Sequence, residues 1–556
     1  MKTHRYVVVD LETTGNSPKR GDRIIQLSAC LIEHGEIVEQ FTSFLNPNKT
    51  IPIFIEELTG ITQPMVDDAP NFEQIAPKLI SMLNDSVFVA HNVTFDLSFL
   101  QWELHAAGYK TFQGPILDTV ELAKICFPTS NSYKLGDLSE KFNLLHERPH
   151  QADSDALATA KLLLLFKEKL ISLRKTTLSK MYDLSFGLKS NVSLLIDEVI
   201  ERKGELESPL ESHLEEFKGL ILKKKRGIQQ VALSIPDYPI NEQEKIALLK
   251  KAYSSYDNRI DQLKMMDHVY EQFSQKESMV IEAGTGMGKT MGYLLPSAYY
   301  ALEHNKRVII STYTNQLQAQ ILYNEIPKLN NMLSFPIHVS ILKGRTHYLD
   351  LFRFEQSLYE NEKQFDVVLT KLQILVWLTE TETGDVEELN LTSGGYLFWN
   401  RVKSSSYMID EKSNPWYSYD YYEHAKKQAT KANIVITNHH MLIQSLSQED
   451  SFFADCSHYV IDEAHHLEEV TQRFLGANLS YIGFKSSMNT LGTLDSPGLY
   501  SKLVHLLEKL GLHSIRESYE LDMALSSCYG VIEDWFGFIG NNALYTSGKN
   551  NELKKD

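Results

Sequence analysis

Short apolar runs that end in a carboxylate recur along this chain. Tyr6-Val7-Val8-Val9 reads as a buried strand, and Asp10-Leu11-Glu12 continues it by alternation, which places both carboxylates on one face. Val87-Phe88-Val89-Ala90 is a second apolar strand. It runs through His91-Asn92-Val93-Thr94-Phe95-Asp96 into Leu97, Phe99 and Leu100 at helical spacing, so Asp96 sits where strand gives way to helix. His150-Gln151-Ala152-Asp153-Ser154-Asp155-Ala156 opens a helix whose small and apolar face includes Ala160, Leu163 and Phe166. From about Lys167 to Asp257 the pattern turns charge-rich with helical periodicity. It includes the basic run Lys223-Lys224-Lys225-Arg226, of a kind that is usually a solvated helix end. Met279-Val280-Ile281 then predicts a strand entering a glycine-rich loop, and Met291-Gly292-Tyr293-Leu294-Leu295 a helix leaving it. A last apolar strand, His458-Tyr459-Val460-Ile461, ends in Asp462-Glu463.

A length of 556 residues exceeds what one core organises and fits two or three domains. With 43% hydrophobic and 23% charged residues the chain has the composition of a soluble globular protein, without low-complexity tracts or repeats. The formal net charge of -17 excludes coating of nucleic acid by bulk electrostatics, so any such binding has to use local basic grooves or metal ions. Cys30, Cys126, Cys456 and Cys528 lie far apart with no paired spacing, which points away from a secreted disulfide framework. No signal-like apolar region follows the N-terminus and no run approaches a membrane span, so a soluble cytoplasmic protein is expected.

A lone Asp-x-Glu at a strand end is most often a solvated pair. Here three acidic segments, each at the edge of an apolar element, supply Asp10, Glu12, Asp96 and Asp155, which in a shared site would repel one another unless cations neutralise them. Hard divalent cations suit all-oxygen ligands. Two such ions can hydrolyse a phosphodiester, one generating hydroxide and the other stabilising the leaving oxygen. His150, shortly before Asp155, is the candidate general base, because an imidazole titrates near the operating pH.

Over roughly residues 4 to 170 the chain resembles the DEDDh exonucleases, the DnaQ-like group. The matching segments are Asp10-Leu11-Glu12-Thr13-Thr14-Gly15, Leu58-Thr59-Gly60-Ile61, Ala90-His91-Asn92 with Phe95-Asp96, Leu117-Asp118-Thr119, and His150 through Asp155. The resemblance implies a ribonuclease-H-like fold and release of nucleoside monophosphates from the 3′ end of single-stranded DNA or RNA. It implies Asp10, Glu12, Asp96, His150 and Asp155 as the catalytic set, with two Mg²⁺ or Mn²⁺ ions on the four acids. It also suggests Thr13 near the terminal 3′-hydroxyl and Asn92 near the substrate, and leaves Asp118 and Asp153 structural or solvated roles.

Ala283-Gly284-Thr285-Gly286-Met287-Gly288-Lys289-Thr290 has the strand–loop–helix context of a phosphate cradle. In such a cradle backbone amides approach the phosphates, Lys289 would reach the β- and γ-phosphates of ATP, and the Thr290 hydroxyl would ligate Mg²⁺. Asp462 is the expected partner for the metal and Glu463 for the water. These motifs resemble superfamily 2 helicases of the XPD/DinG branch, with Tyr256, Arg259 and Gln262 upstream, Ser311-Thr312-Tyr313-Thr314, Lys343-Gly344-Arg345 and Thr437-Asn438-His439. The whole is similar to the DinG family of Firmicutes. Relatives with an iron–sulfur cluster place its first cysteine after the Lys-Gly-Arg segment, where this chain has Asp350, so no cluster is expected. Nothing after Leu467 resembles a second helicase lobe. The expected architecture is α/β: an exonuclease domain over 1–170, a charged helical connector over 171–245, and a first RecA-like lobe with insertions over 246–556. The expected activity is a 3′-to-5′ exonuclease modulated by an ATP-binding domain; the alternatives are an ATP-dependent 5′-to-3′ DNA helicase and a purely regulatory ATP-binding module.

Overall fold

The structure, a computed structural model, describes residues 4–144, 148–204, 209–225, 227, 236–253, 255–257, 259–405, 414–447, 452–453, 455–476, 480–494, 496, 498–512 and 515–552, with backbone alone at 515–516 and 541–552. Arg226, the last residue of the basic run, lies outside them. The chain forms two compact units, 1–462 and 463–556.

The first unit begins with a five-stranded sheet in the order β3-β2-β1-β4-β5. Its strands are β1 (Arg5–Thr13), β2 (Ile24–Glu33), β3 (Glu36–Phe44), β4 (Ser86–Ala90) and β5 (Ile116–Asp118). The first three strands run antiparallel as a meander, and β4 and β5 add in parallel on the other side of β1. The result is the ribonuclease-H-like sheet expected of the first domain. Helices α1 (Phe72–Leu83) and α2 (Val93–Ala106) cover one face and pack on Val7, Val9 and Leu11. Helices α3 (Thr119–Cys126) and α4 (Ala152–Ser172) belong to the opposite side, where Ala156 and Ala160 share a core with Tyr6 and Val8. The alternation of β1 is therefore real, since odd and even residues enter different cores.

The stretch read as a charged connector contributes helices α5 (Lys175–Ser185) and α6 (Val192–Lys203) and a hairpin of β6 (Leu214–Phe217) and β7 (Leu220–Lys223). Their apolar sides are buried: Leu178, Met181, Leu195, Val199 and Leu222 join the core of α4. Helices α7 (Ile260–Gln275) and α8 (Lys289–Glu303) come next in the chain, and the same core then takes in α9 (Phe365–Trp377), buried from Val367 onward. Between these halves Asn390 donates its backbone N–H to Pro128 and its side-chain amide to Ser130 and Asn131, and Lys169 pairs with Glu380.

The second sheet is wholly parallel, in the order β11-β8-β10-β9, from β8 (Val308–Thr312), β9 (Val339–Ile341), β10 (Ile434–Asn438) and β11 (His458–Ile461). Central β8 is buried throughout, as a strand covered on both faces must be. The strand expected at Met279–Ile281 is absent: the segment pairs with no described strand, and Val280 is 96% exposed. Local β propensity supplies no hydrogen-bond partner, and among the described residues none lies beside it, so a strand-like sequence remains without a sheet. The second unit, described by itself, is helical, with helices Leu467–Leu475, Tyr481–Leu491, Leu499–Lys509 and Ile515–Glu552.

Phe166 lies in α4, fully buried and 6.0 Å from the Phe127 ring. Phe166→Ala should destabilise the protein by about 3–5 kcal/mol. Since α4 and α9 share one core, amide exchange should accelerate in Phe365–Trp377 as well as in Ala152–Ser172. Unchanged protection in α9 would show that the two segments are energetically separate.

Candidate active site and glycine loop

Asp10 and Glu12 stand two residues apart on β1, on the face shared with Tyr6 and Val8. Asp96 arrives in the first turn of α2, only 3% exposed, and its Oδ1 accepts the Leu11 backbone N–H at 3.1 Å. The turn into α2 is fixed by Asp118, whose carboxylate accepts the backbone N–H groups of Asn92 (3.2 Å), Val93 (3.3 Å) and Val120 (2.8 Å). Asn92 at the N-cap is left-handed (φ 75°), a conformation that asparagine tolerates. Asp155 lies in the first turn of α4, 8% exposed, and accepts the His150 backbone N–H at 3.2 Å. Ligand atoms of Glu12, His150 and Asp155 all lie within 4.8 Å of one another. All five residues expected to be catalytic thus converge.

The electrostatics follow from this crowding. Burial holds the Asp10 carboxyl well above its usual range, and Asp96, Asp155 and Glu12 push it further. Burial and then Asp155 raise Glu12 to about 7. Asp96 is also well above its usual range through burial, against the lowering effect of its backbone hydrogen bonds. Among the described residues, no lysine or arginine is one of the groups that shift these three acids. A set of carboxylate oxygens joined by one imidazole, with no internal countercharge on these acids, fits hard divalent cations.

The other residues singled out in this half have partners of their own. The Thr13 hydroxyl donates to the Gly15 carbonyl at 2.6 Å and is 6% exposed, while Asn92 is exposed. Asp153 pairs with Arg148 at 2.6 Å. Two supports were missed in the sequence. One is the capping role of Asp118; the other is Gln26, whose Oε1 accepts the Ala152 backbone N–H at 2.9 Å. The signal for Gln26 was a polar residue inside the otherwise apolar run Ile24-Ile25-Gln26-Leu27.

In the second half, Gly288 is the N-cap of α8 with φ 84°, and Gly286 has φ 79°, both left-handed. The Gln262 side-chain amide donates to the Gly288 carbonyl at 2.9 Å, and a Cβ at Gly288 would fall 2.2 Å from that nitrogen. Arg259 donates to the Gly286 carbonyl at 2.8 Å, and the Tyr256 hydroxyl to Gln262 Oε1 at 2.9 Å. Residues far apart in motif order therefore clamp the loop from Ala283 to Thr290. The Tyr293 hydroxyl donates to Asp462 at 3.2 Å and also bonds Thr290, which ties the end of β11 to the first turn of α8. Glu463, in the second unit, has φ 53° and lies 3.5 Å from His465 Nδ1. Lys343 is engaged by Asp385 and Glu387, Arg345 by Glu423, and Asp350 caps the helix Leu351–Leu358.

The exonuclease family model matches residues 7–163, and the DEAD/DEAH box helicase model matches residues 259–390. The 3′-5′ exonuclease DinG of Bacillus subtilis (strain 168) is 41% identical over 553 residues, which is 97% of this chain and 58% of that protein. The protein of the same name from Staphylococcus aureus (strain USA300) is 33% identical over 534 residues, 95% of this chain and 56% of that one. The chain spans little more than half the length of these curated relatives. Among solved structures, the nuclease domain of 3′hExo, a DEDDh family member bound to rAMP, is 22% identical with a TM-score of 0.28, covering 31% of this chain and 96% of its own. Along nearly all of its own length the chain is similar to these DinG proteins, and within that span it matches an exonuclease model and a DEAD/DEAH box helicase model.

Proposed function

We propose that this protein is a metal-dependent 3′-to-5′ exonuclease that shortens single-stranded DNA or RNA and releases nucleoside monophosphates. The observation that carries this reading is the convergence of Asp10, Glu12, Asp96, Asp155 and His150 around the central strand of the first sheet. Two Mg²⁺ or Mn²⁺ ions held by the four carboxylates would supply the Lewis acidity that lowers the pKa of the attacking water and stabilises the leaving oxygen. The protein's own part is geometric. Asp10 and Glu12 are held rigid by the β1 ladder, Asp96 by the Leu11 N–H, and Asp155 by the turn at His150. The exposed His150 imidazole, beside Glu12 and Asp155, takes the proton from the attacking water.

A second reading is favoured by the clamped glycine loop. Ala283 to Thr290 binds ATP, with Lys289 on the phosphates, Gln262 and Arg259 holding the loop, and Asp462 serving the metal, and the bound nucleotide modulates the nuclease.

With a 5′-labelled single-stranded oligonucleotide and Mn²⁺, the expected result is stepwise shortening from the 3′ end. Asp10→Ala should remove it, and His150→Ala should lower kcat by roughly 10²–10⁴-fold while Mn²⁺ binding is retained. No shortening of either DNA or RNA by the wild type would overturn the reading.

Metal binding should carry a pH signature. Between about 4.5 and about 7 the metal-free folded protein keeps a proton on Glu12 that the unfolded chain has released, so metal-free stability falls as pH rises through that window. A divalent ion requires the deprotonated form, so its affinity moves the other way. Calorimetry should find Mn²⁺ binding about tenfold or more tighter at pH 8 than at pH 6. A flat profile would mean that Glu12 is not a ligand.

For the glycine loop, Lys289→Ala should abolish any ATP effect on the exonuclease rate, and Gly288→Ala should do the same by striking Gln262. Retained control by ATP in both variants would place the nucleotide elsewhere.

A further inference from the structure

The N-terminus of helix α4 needs a hydrogen-bond acceptor from outside the helix. The first N–H groups of any helix lack partners within it, and the N-cap residue usually supplies one through its side chain. Gln151 occupies that position in extended backbone conformation and makes no side-chain cap. The N–H of Ala152 is buried, yet it is satisfied: Gln26 reaches across from β2 and accepts it at 2.9 Å, over a separation of 126 residues. Gln26 is itself only 4% exposed.

The position of Gln26 gives this bond its significance. Across the antiparallel pair of β1 and β2, Gln26 is directly opposite Glu12, so the two side chains stand next to each other on one face. The pairing register shifts immediately after Glu12, between Glu12 and Thr13, so the Glu12–Gln26 pair is the last before the irregularity. On the other side of the bond, Ala152 begins the turn that carries Asp155 and follows His150, a residue in left-handed backbone (φ 63°) with no glycine to make that conformation easy. One amide oxygen therefore joins the strand bearing Glu12 to the helix bearing Asp155 and the turn bearing His150. A neutral amide does so without adding charge beside carboxylates that burial and mutual repulsion have already raised.

We infer that Gln26 is a positioning residue of the exonuclease site: its side chain caps α4 from the neighbouring strand and sets the separation of His150 and Asp155 from Glu12. The inference rests on the metal-dependent reading above. Substrate and metal need not touch Gln26; it acts through the residues it holds, as outer supports of metal ligands do.

The test compares Gln26→Asn, which keeps the amide but is one methylene too short to reach Ala152, with Gln26→Glu, which keeps the reach and the acceptor. In Gln26→Asn, Mn²⁺ affinity measured without nucleic acid should fall about tenfold. In the same variant kcat should fall about 10–100-fold with KM for the oligonucleotide unchanged, and the Ala152 amide should exchange faster. Gln26→Glu should keep Ala152 protected and bind Mn²⁺ at least as tightly as the wild type. If Gln26→Asn lowers only the melting temperature, with Mn²⁺ affinity and kcat intact, Gln26 is structural and the inference is wrong. If the wild type binds Mn²⁺ and Gln26→Asn weakens that binding but neither cuts, the positioning role stands and the exonuclease reading fails.

Discussion

Carboxylates cannot be gathered in a half-buried site without cost, because each one raises the free energy of ionising the next. Asp10, Glu12, Asp96 and Asp155 come from three separate elements, and each is held against this repulsion by groups that are not acids. The β1 ladder holds the first two, the Leu11 N–H holds Asp96, and the His150 N–H holds Asp155. Behind these sit Asp118, which caps both α2 and α3, and Gln26, which caps α4. The apolar faces of β1 supply the stabilisation that offsets the crowding: Val7 and Val9 enter one core, Tyr6 and Val8 another.

What could be read from the chain and what could not divides along a physical line. Periodicity reports which side of an element is buried, so β1, β4, α2 and α4 and the acids at their ends were legible from residue order alone. A contact between residues 126 positions apart leaves no such trace, which is why the tie between Gln26 and Ala152 was invisible despite the polar break it makes in β2. Asp118 was legible as an extra acid but not as the residue that shapes the turn before Asp96, since its acceptor role depends on β4 and β5 lying side by side. Met279–Ile281 failed for the opposite reason. Its residues favour a strand, but a strand exists only where another strand presents a ladder.

The same limit applies to Lys175–Lys203. Its charge-rich helices were recognisable, yet charge patterning says nothing about what the buried side touches. In the structure Leu178, Met181 and Leu195 pack in the core that also holds Phe166 and Leu372, and a Cβ on Gly187 would lie 2.7 Å from Val368. Spacers are solvated on all sides; this segment is an internal layer of the first unit.

That layer constrains how a nucleotide at the glycine loop would act on the nuclease. A ligand shifts an equilibrium only by its differential affinity for two states, so some element between the loop and the carboxylates has to possess two arrangements. The shared core does not offer them readily: α9 is buried from Val367 to Trp377, and close-packed interiors resist gradual deformation. The polar ties at its margin are different in kind. Asn390 holds the Pro128–Asn131 loop, the following Tyr133 carbonyl bonds His91 Nε2 at 3.0 Å, and His91 precedes the left-handed Asn92 that opens the Asp96 helix. Hydrogen bonds at a surface loop exchange partners at far lower cost than a core repacks. A nucleotide effect on catalysis that travels through the first unit therefore runs along this margin, and one that leaves Asn390 and His91 undisturbed acts on substrate access instead.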